Sequence, residues 1–198
     1  MQPKTVIFIG PQGSGKGTQI ELLFKVLAEK DPARRIVDIQ TGRRFRALAA
    51  KHETFADKKI AGSLETGALQ PDFITHLLWG QAMLHQHDPK SHLLIDGVPR
   101  TAHQARVLDN ALTFFERAEL DVVNLDTPET VVRERMTSRA REDDTEAAIE
   151  TRLRWYKEET GPVLEHYEAR SATTVHHIDG TMDIEAVHQA VLTALELT

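Results

Sequence analysis

The sequence predicts a three-layer α/β fold, and three observations carry that prediction. Short apolar runs alternate with longer helix-like stretches along the whole chain. The first run, Val6-Ile7-Phe8-Ile9, passes directly into a glycine-rich loop, Gly10-Pro11-Gln12-Gly13-Ser14-Gly15-Lys16-Gly17-Thr18, and the loop passes into a helix-like stretch. The chain has 198 residues with 40% hydrophobic content, enough for one sizeable core and a small inserted unit.

The elements follow in order. Residues 5–9 read as a buried strand and 16–30 as the helix after the loop. Residues 35–39 form a short second strand. Residues 42–88 are mostly helical, with breaks near Gly62, Gly67 and Pro71, and few β-branched runs. That block predicts a small helical lobe plus a return helix. A third strand over 92–95 ends in Asp96-Gly97, and a helix follows over 103–117. Residues 120–125 are the fourth strand. Pro128 stands near the start of the next helix, where its missing N–H is no loss. A charged turn at 138–144 leads to a long helix over 145–167, interrupted by Gly161-Pro162. A last strand over 174–178 and a last helix over 183–196 complete the pattern. Functional residues should gather at the carboxyl ends of the strands.

Composition excludes several classes. A formal net charge of -6 argues against broad nucleic-acid or acidic-membrane binding, while 24 Lys and Arg residues remain available for a focused basic cleft. There is no cysteine, hence no disulfide or thiol chemistry. Ten histidines are scattered without ligand spacing, and the adjacent His176 and His177 should point to opposite faces of a strand. No run approaches the ~18 apolar residues of a membrane span, and the first element reads as a strand rather than a signal peptide. The expectation is a cytoplasmic protein with no nucleic-acid or membrane partner.

The chemistry starts at the loop. Its glycines let backbone N–H groups turn toward anionic oxygens, and the helix N-terminus adds a positive dipole end. Lys16 supplies a point charge for β- and γ-phosphates. Asp96, at a strand end, suits the water shell of Mg²⁺ beside such a loop, or a turn cap. Gly97 permits close ligand approach, and Pro99 stiffens the chain that presents Arg100. Thr41-Gly42-Arg43-Arg44-Phe45-Arg46 offers a hydroxyl and three guanidinium groups. A third stretch holds Arg133, Arg135, Arg139, Arg141, Arg152 and Arg154. Arg135 and Arg139 share a helical face, and Asp143 and Asp144 can orient neighbouring guanidiniums. Charge exchange with Glu134, Glu142, Glu146 and Glu150 is the simpler alternative. Two arginine clusters facing one phosphate loop suggest two phosphorylated substrates, the requirement for phosphoryl transfer between nucleotides.

With these motifs in view, the chain resembles the adenylate kinase family of nucleoside monophosphate kinases over nearly its whole length. The marks are GPQGSGKGTQ at 10–19, TGRRFR at 41–46, GALQPD at 67–72, DGVPRTAHQA at 96–105, RMTSRAREDD at 135–144 and DGTMD at 179–183. The resemblance implies a P-loop kinase fold with a five-stranded parallel sheet. It divides the chain into a core over 1–39, 73–137 and 145–198, a monophosphate-binding lobe over 40–72 and a very short lid over 138–144. It implies that Gly13, Ser14, Gly15, Lys16, Gly17 and Thr18 cradle the ATP phosphates. Arg135 resembles the arginine that packs on the ATP adenine, and Arg139 the lid-hinge arginine on the ATP phosphates. Arg100, Arg141 and Arg152 resemble those gripping the monophosphate and the phosphoryl in flight. Thr41 and Arg46 match the monophosphate lobe's hydroxyl and arginine, and Ala68, Leu69 and Gln70 the segment whose backbone meets the monophosphate nucleoside. Gly97 and Gln104 resemble residues that line and hydrogen-bond the accepted adenine, and Met182 marks the loop that reads the ATP adenine.

Three departures stand out. Arg43 occupies a position where the family usually has an acidic residue, Val98 replaces an aromatic, and only Ala140 separates Arg139 from Arg141. The activity implied is Mg²⁺-dependent reversible transfer from ATP to AMP, giving two ADP, in a monomer. A kinase for UMP or CMP, or a P-loop ATPase acting as a switch, are the alternatives.

Overall fold

Alternating side chains on five short strands build the two apolar faces of a single sheet. The computed structural model describes residues 1–117, 119–139 and 141–198, so Ala140 of the expected lid lies outside the described residues. The strands are β1 (Thr5–Ile9), β2 (Ile36–Gln40), β3 (His92–Asp96), β4 (Leu120–Asp126) and β5 (Thr173–Asp179). All pair in parallel, in the order β2-β3-β1-β4-β5. The helices are α1 (Lys16–Lys30), α2 (Thr41–Ala49), α3 (Phe55–Glu65), α4 (Asp72–Gln86), α5 (Ala102–Phe114), α6 (Glu129–Arg139), α7 (Glu146–Trp155), α8 (Gly161–Glu168) and α9 (Ile184–Ala194). The three-layer α/β expectation and its five parallel strands hold.

Strand periodicity decides the layers. Ile7, Ile9, Val37, Ile39, Leu93 and Ile95 face a core shared with Trp79, Met83, Leu108 and Tyr167. Val6, Phe8, Leu94, Val123 and Leu125 face the opposite core, filled by Ile20, Leu23 and Leu27 of α1 and Val187 and Val191 of α9. Two satellite clusters lie apart. Phe45, Ala49 and Ile60 join α2 to α3, and Val132, Met136, Ile149 and Leu153 join α6 to α7. β1 sits at the centre of the sheet. Its connection runs to β2 on one side, whereas β3 connects to β4 on the other, which opens a crevice at the carboxyl ends.

Several boundaries differ from expectation. The break predicted near Gly62 is absent, since Gly62 lies within α3. A lone helical glycine in open space costs only about 1 kcal/mol, too little to end a helix whose Ile60 is buried. The chain breaks earlier, at His52, where φ is 53°. α3 then starts at a capping box: Thr54 Oγ1 accepts from Asp57 N at 3.1 Å, and Asp57 Oδ2 accepts from Thr54 N at 2.9 Å. α5 stops at Phe114 rather than 117, because Glu116 adopts a φ of 57°. Gly161-Pro162 does interrupt the long helix. A π-helical turn, Tyr156–Thr160, precedes α8 and absorbs the proline near its start. His176 and His177 point to opposite faces, toward Asp121 and Asp126 respectively.

Candidate active site

The loop between β1 and α1 opens onto a cavity of about 900 Å³. Gly13, Ser14, Gly15, Lys16, Gly17 and Thr18 all line it. Gly13 has φ +98°, and a Cβ there would stand 2.9 Å from Met136 Cγ and 3.0 Å from the Val132 carbonyl, so α6 packs against the loop only because this residue is glycine. Lys16 Nζ donates to the Gly10 and Pro11 carbonyls at 2.7 and 2.9 Å. Burial lowers its pKa to about 8. Asp96 opposes that shift, and the Arg100 and Arg139 charges reinforce it.

Arginines from four directions converge on this space. Arg46 of α2, Arg100 after β3, Arg135 and Arg139 of α6, and Arg141 beyond it line the main cavity. Burial depresses the pKa of Arg46, Arg100 and Arg141 in turn, and neighbouring guanidiniums add to the effect in each. Such a cluster is a standing electrostatic cost that an anion relieves. Arg135 is anchored by donating to the Gly180 carbonyl at 2.7 Å. Arg139 makes a two-point contact to Asp144, at 2.8 and 3.1 Å. Arg152, buried on α7, donates to Asp144 and Asp143, each at 2.7 Å, and does not line the main cavity. Asp143 and Asp144 thus orient guanidiniums as their spacing suggested. Arg133 follows the simpler alternative and pairs with Glu129, Glu146 and Glu150.

A second, smaller cavity adjoins the first. Ala68, Leu69, Gln70, Gln104 and Arg152 line it, and Arg46, Gly97 and Arg100 line both cavities. Gly67 turns into this wall with φ +70°. A Cβ on it would meet the Ala148 carbonyl at 2.4 Å, which forces glycine where the turn abuts α7. Gln70 Oε1 accepts from Ser63 Oγ at 3.0 Å, while its Nε2 is buried without a protein partner. Gln104 uses both ends of its amide: Oε1 accepts from Arg100 N at 2.8 Å, and Nε2 donates to Asp72 at 2.8 Å. Arg100 Nε donates to the Gly97 carbonyl at 3.0 Å.

Other expected residues take particular places. Thr41 lines neither cavity, and its buried hydroxyl donates to the Asp96 carbonyl at 3.3 Å. Asp96 lines the main cavity with Oδ1 buried and unpartnered. Met182 lies on the wall formed by the loop after β5, together with Asp183 and Ile184. Gln19 of α1 holds that loop by donating to the Ile184 carbonyl at 3.0 Å. Arg43 forms an ion pair with Glu21 of α1, and both line the cavity, whereas Arg44 does not. Glu21 therefore answers the positive charge that Arg43 introduces. Sequence reasoning missed Glu21, Gln12, Trp155 and Tyr156 in these walls. The spacing of Trp155 three residues after Arg152, on one face of α7, was the available signal.

A central-strand phosphate loop, with two adjoining cavities that share arginines, defines a P-loop enzyme of the phosphoryl-transfer class. A family model described as adenylate kinase matches residues 8–172. An adenylate kinase of Corynebacterium urealyticum is 36% identical over 191 residues, covering 96% of this chain and 98% of the relative. One from Nocardia farcinica is 34% identical over 190 residues, covering 96% and 98%. Adenylate kinase 1 of a Nostoc species is 35% identical over 184 residues, covering 93% and 95%. The chain belongs to the adenylate kinase family.

Proposed function

We propose that this chain is an adenylate kinase that transfers the γ-phosphoryl of ATP reversibly to AMP, giving two ADP. The observation that carries this reading is the pair of adjoining cavities joined at Arg46, Gly97 and Arg100. An ATPase switch needs no second compartment. In this reading the larger cavity takes ATP, its phosphates on the loop and its adenine between Arg135 and the Met182 loop. The smaller, about 40 Å³ as it stands, widens to take AMP, with the base against residues 68–70 and the phosphate at Arg46 and Arg100. Gln70 Nε2, buried and unpartnered, is a donor available to the acceptor base. One chain supplies both cavities, which supports an enzyme that works as a monomer.

The AMP phosphate oxygen is already a nucleophile at neutral pH, so no side-chain base is required. The residues align it with the γ-phosphorus, offset developing charge and exclude water. Lys16 leaves its loop carbonyls for the β- and γ-oxygens. Arg100, shared by both cavities, spans donor and acceptor, and Arg139, Arg141 and Arg152 close in from the side of the short lid. The family's Mg²⁺ fits here: Asp96 and Thr18 both line the cavity, and Asp96 Oδ1 is buried without a partner. Bound there, the ion would neutralise charge between β- and γ-phosphate oxygens.

Initial rates with ATP and, separately, AMP, GMP, CMP, UMP and dTMP test the assignment. AMP should give the highest kcat/KM. A higher value for UMP or CMP would move the chain to another acceptor.

A further inference from the structure

We propose that Trp155 is a positioning residue for the acceptor nucleotide, tying Arg100 to the backbone segment that meets the acceptor base. The inference rests on the two-cavity reading above. Trp155 ends α7 and lines both cavities. Two contacts leave its indole. The Arg100 guanidinium carbon stands over the ring, 5.0 Å from its centroid, within cation–π range. The Nε1–H donates to the Gly67 carbonyl at 2.9 Å. Gly67 immediately precedes Ala68, Leu69 and Gln70, which wall the smaller cavity.

The link joins an incompletely held guanidinium to a turn that is closed on itself, where Gly67 N donates to the Leu64 carbonyl and Ala68 N to the Ser63 carbonyl, each at 3.0 Å, but that has to be docked against α7. Arg100 is held at Nε by the Gly97 carbonyl, and its terminal Nη groups find no acceptor among the described residues. A guanidinium with one such bond still rotates about its stem, and an aromatic face beneath it removes that freedom. On the other side, Arg152 Nη2 donates to the Leu64 carbonyl at 3.0 Å. Arg152 and Trp155, three residues apart on α7, thus fasten the two ends of the 64–67 turn. One ring thus meets the Arg100 guanidinium and ties the turn that precedes residues 68–70 to the end of α7. A tryptophan that merely filled space would need neither its ring face nor its N–H directed at these two partners.

The test is steady-state kinetics and thermal melting of Trp155→Phe and Trp155→Leu beside the wild type, varying ATP and AMP separately. Phenylalanine keeps a ring face for Arg100 and loses the N–H. Leucine loses both. Loss of one hydrogen bond should raise the AMP KM of the phenylalanine variant about fivefold and move the ATP KM less than about twofold. Loss of the ring should give the leucine variant a further, roughly tenfold, fall in kcat. Parallel rises in both KM values, an unchanged AMP KM, or equal kcat in the two variants would overturn the inference. Should the leucine variant fail to fold, the KM split in the phenylalanine variant decides alone. A wild type inactive toward AMP would remove the functional reading itself, whereas an active wild type with an indistinguishable phenylalanine variant would remove only the role of Trp155.

Discussion

At Lys16 the ammonium donates to two loop carbonyls, while burial brings its pKa down to about 8 and Arg100 and Arg139 press in the same direction. The unfolded chain holds that proton up to the ordinary value of 10.5. Between the two values the unfolded state binds more protons, so this group's contribution to stability improves as pH rises through that window. Below it, a charged lysine is a standing cost of the native state. Lys16→Met should therefore melt no lower than the wild type at pH 7, while kcat falls roughly 10²-fold or more through loss of charge on the transferring group. Thermal melting and ADP formation measure the two halves. A clear drop in Tm, or near-normal turnover, would contradict the argument. Lys16 and its neighbours were legible because the loop is contiguous and each residue type has one physical use there. Trp155 was legible only as a neighbour of Arg152 on one face of α7, since its contacts with Gly67 and Arg100 join residues far apart along the chain. The pairing of Arg43 with Glu21 was equally hidden, for it joins α2 to α1 only once the sheet has formed.

At the level of elements, the central strand β1 (TVIFI) was announced by an unbroken buried run, as a strand covered on both faces requires, whereas the edge strand β5 (TTVHHID) mixes polar residues into a largely unburied run and was legible from its place after the last helical stretch. The order of the strands across the sheet was not written in any run, since pairing joins residues as distant as Val6 and Asp121. The helical block after β2 shows where local reading erred. Gly62 resembled a break, yet the decisive signal was Thr54 with Asp57 three residues on, a capping box that fixes the start of α3. Removing the cap hydroxyl in Thr54→Ala should cost about 1 kcal/mol. Phe45, Ala49 and Ile60 form a cluster apart from the two main cores, so the loss should stay within the lobe. Amide hydrogen exchange would then quicken about fivefold in α3 and not in β1. Equal loss of protection in both elements would show that the lobe and the sheet unfold as one unit.

Across the whole molecule, the charged stretch at 138–144, which begins in the last residues of α6, raises the question of how water is kept from ATP. We assign this stretch as the lid, and its length leaves no room for a folded unit of its own. Its closure rests instead on side chains. Asp144, fully buried at its carboxylate, joins Arg139 at the end of α6 to Arg152 on α7, and Asp143 adds a second contact to Arg152. That arrangement joins charged side chains of α6 and α7 and adds no apolar side chain to the bridge. In the two-cavity reading proposed above, the AMP phosphate occupies the attacking position when AMP is in place. Without AMP, water can enter from the smaller cavity. ATP alone should therefore be hydrolysed at a measurable rate, far below the rate of transfer to AMP. Phosphate release from ATP without any monophosphate, set against ADP formation with AMP, measures the ratio. Release no greater than background would mean that the bridged arginines suffice to close the site. Release as fast as transfer would mean that the smaller cavity is no acceptor site, and would return the chain to the ATPase alternative.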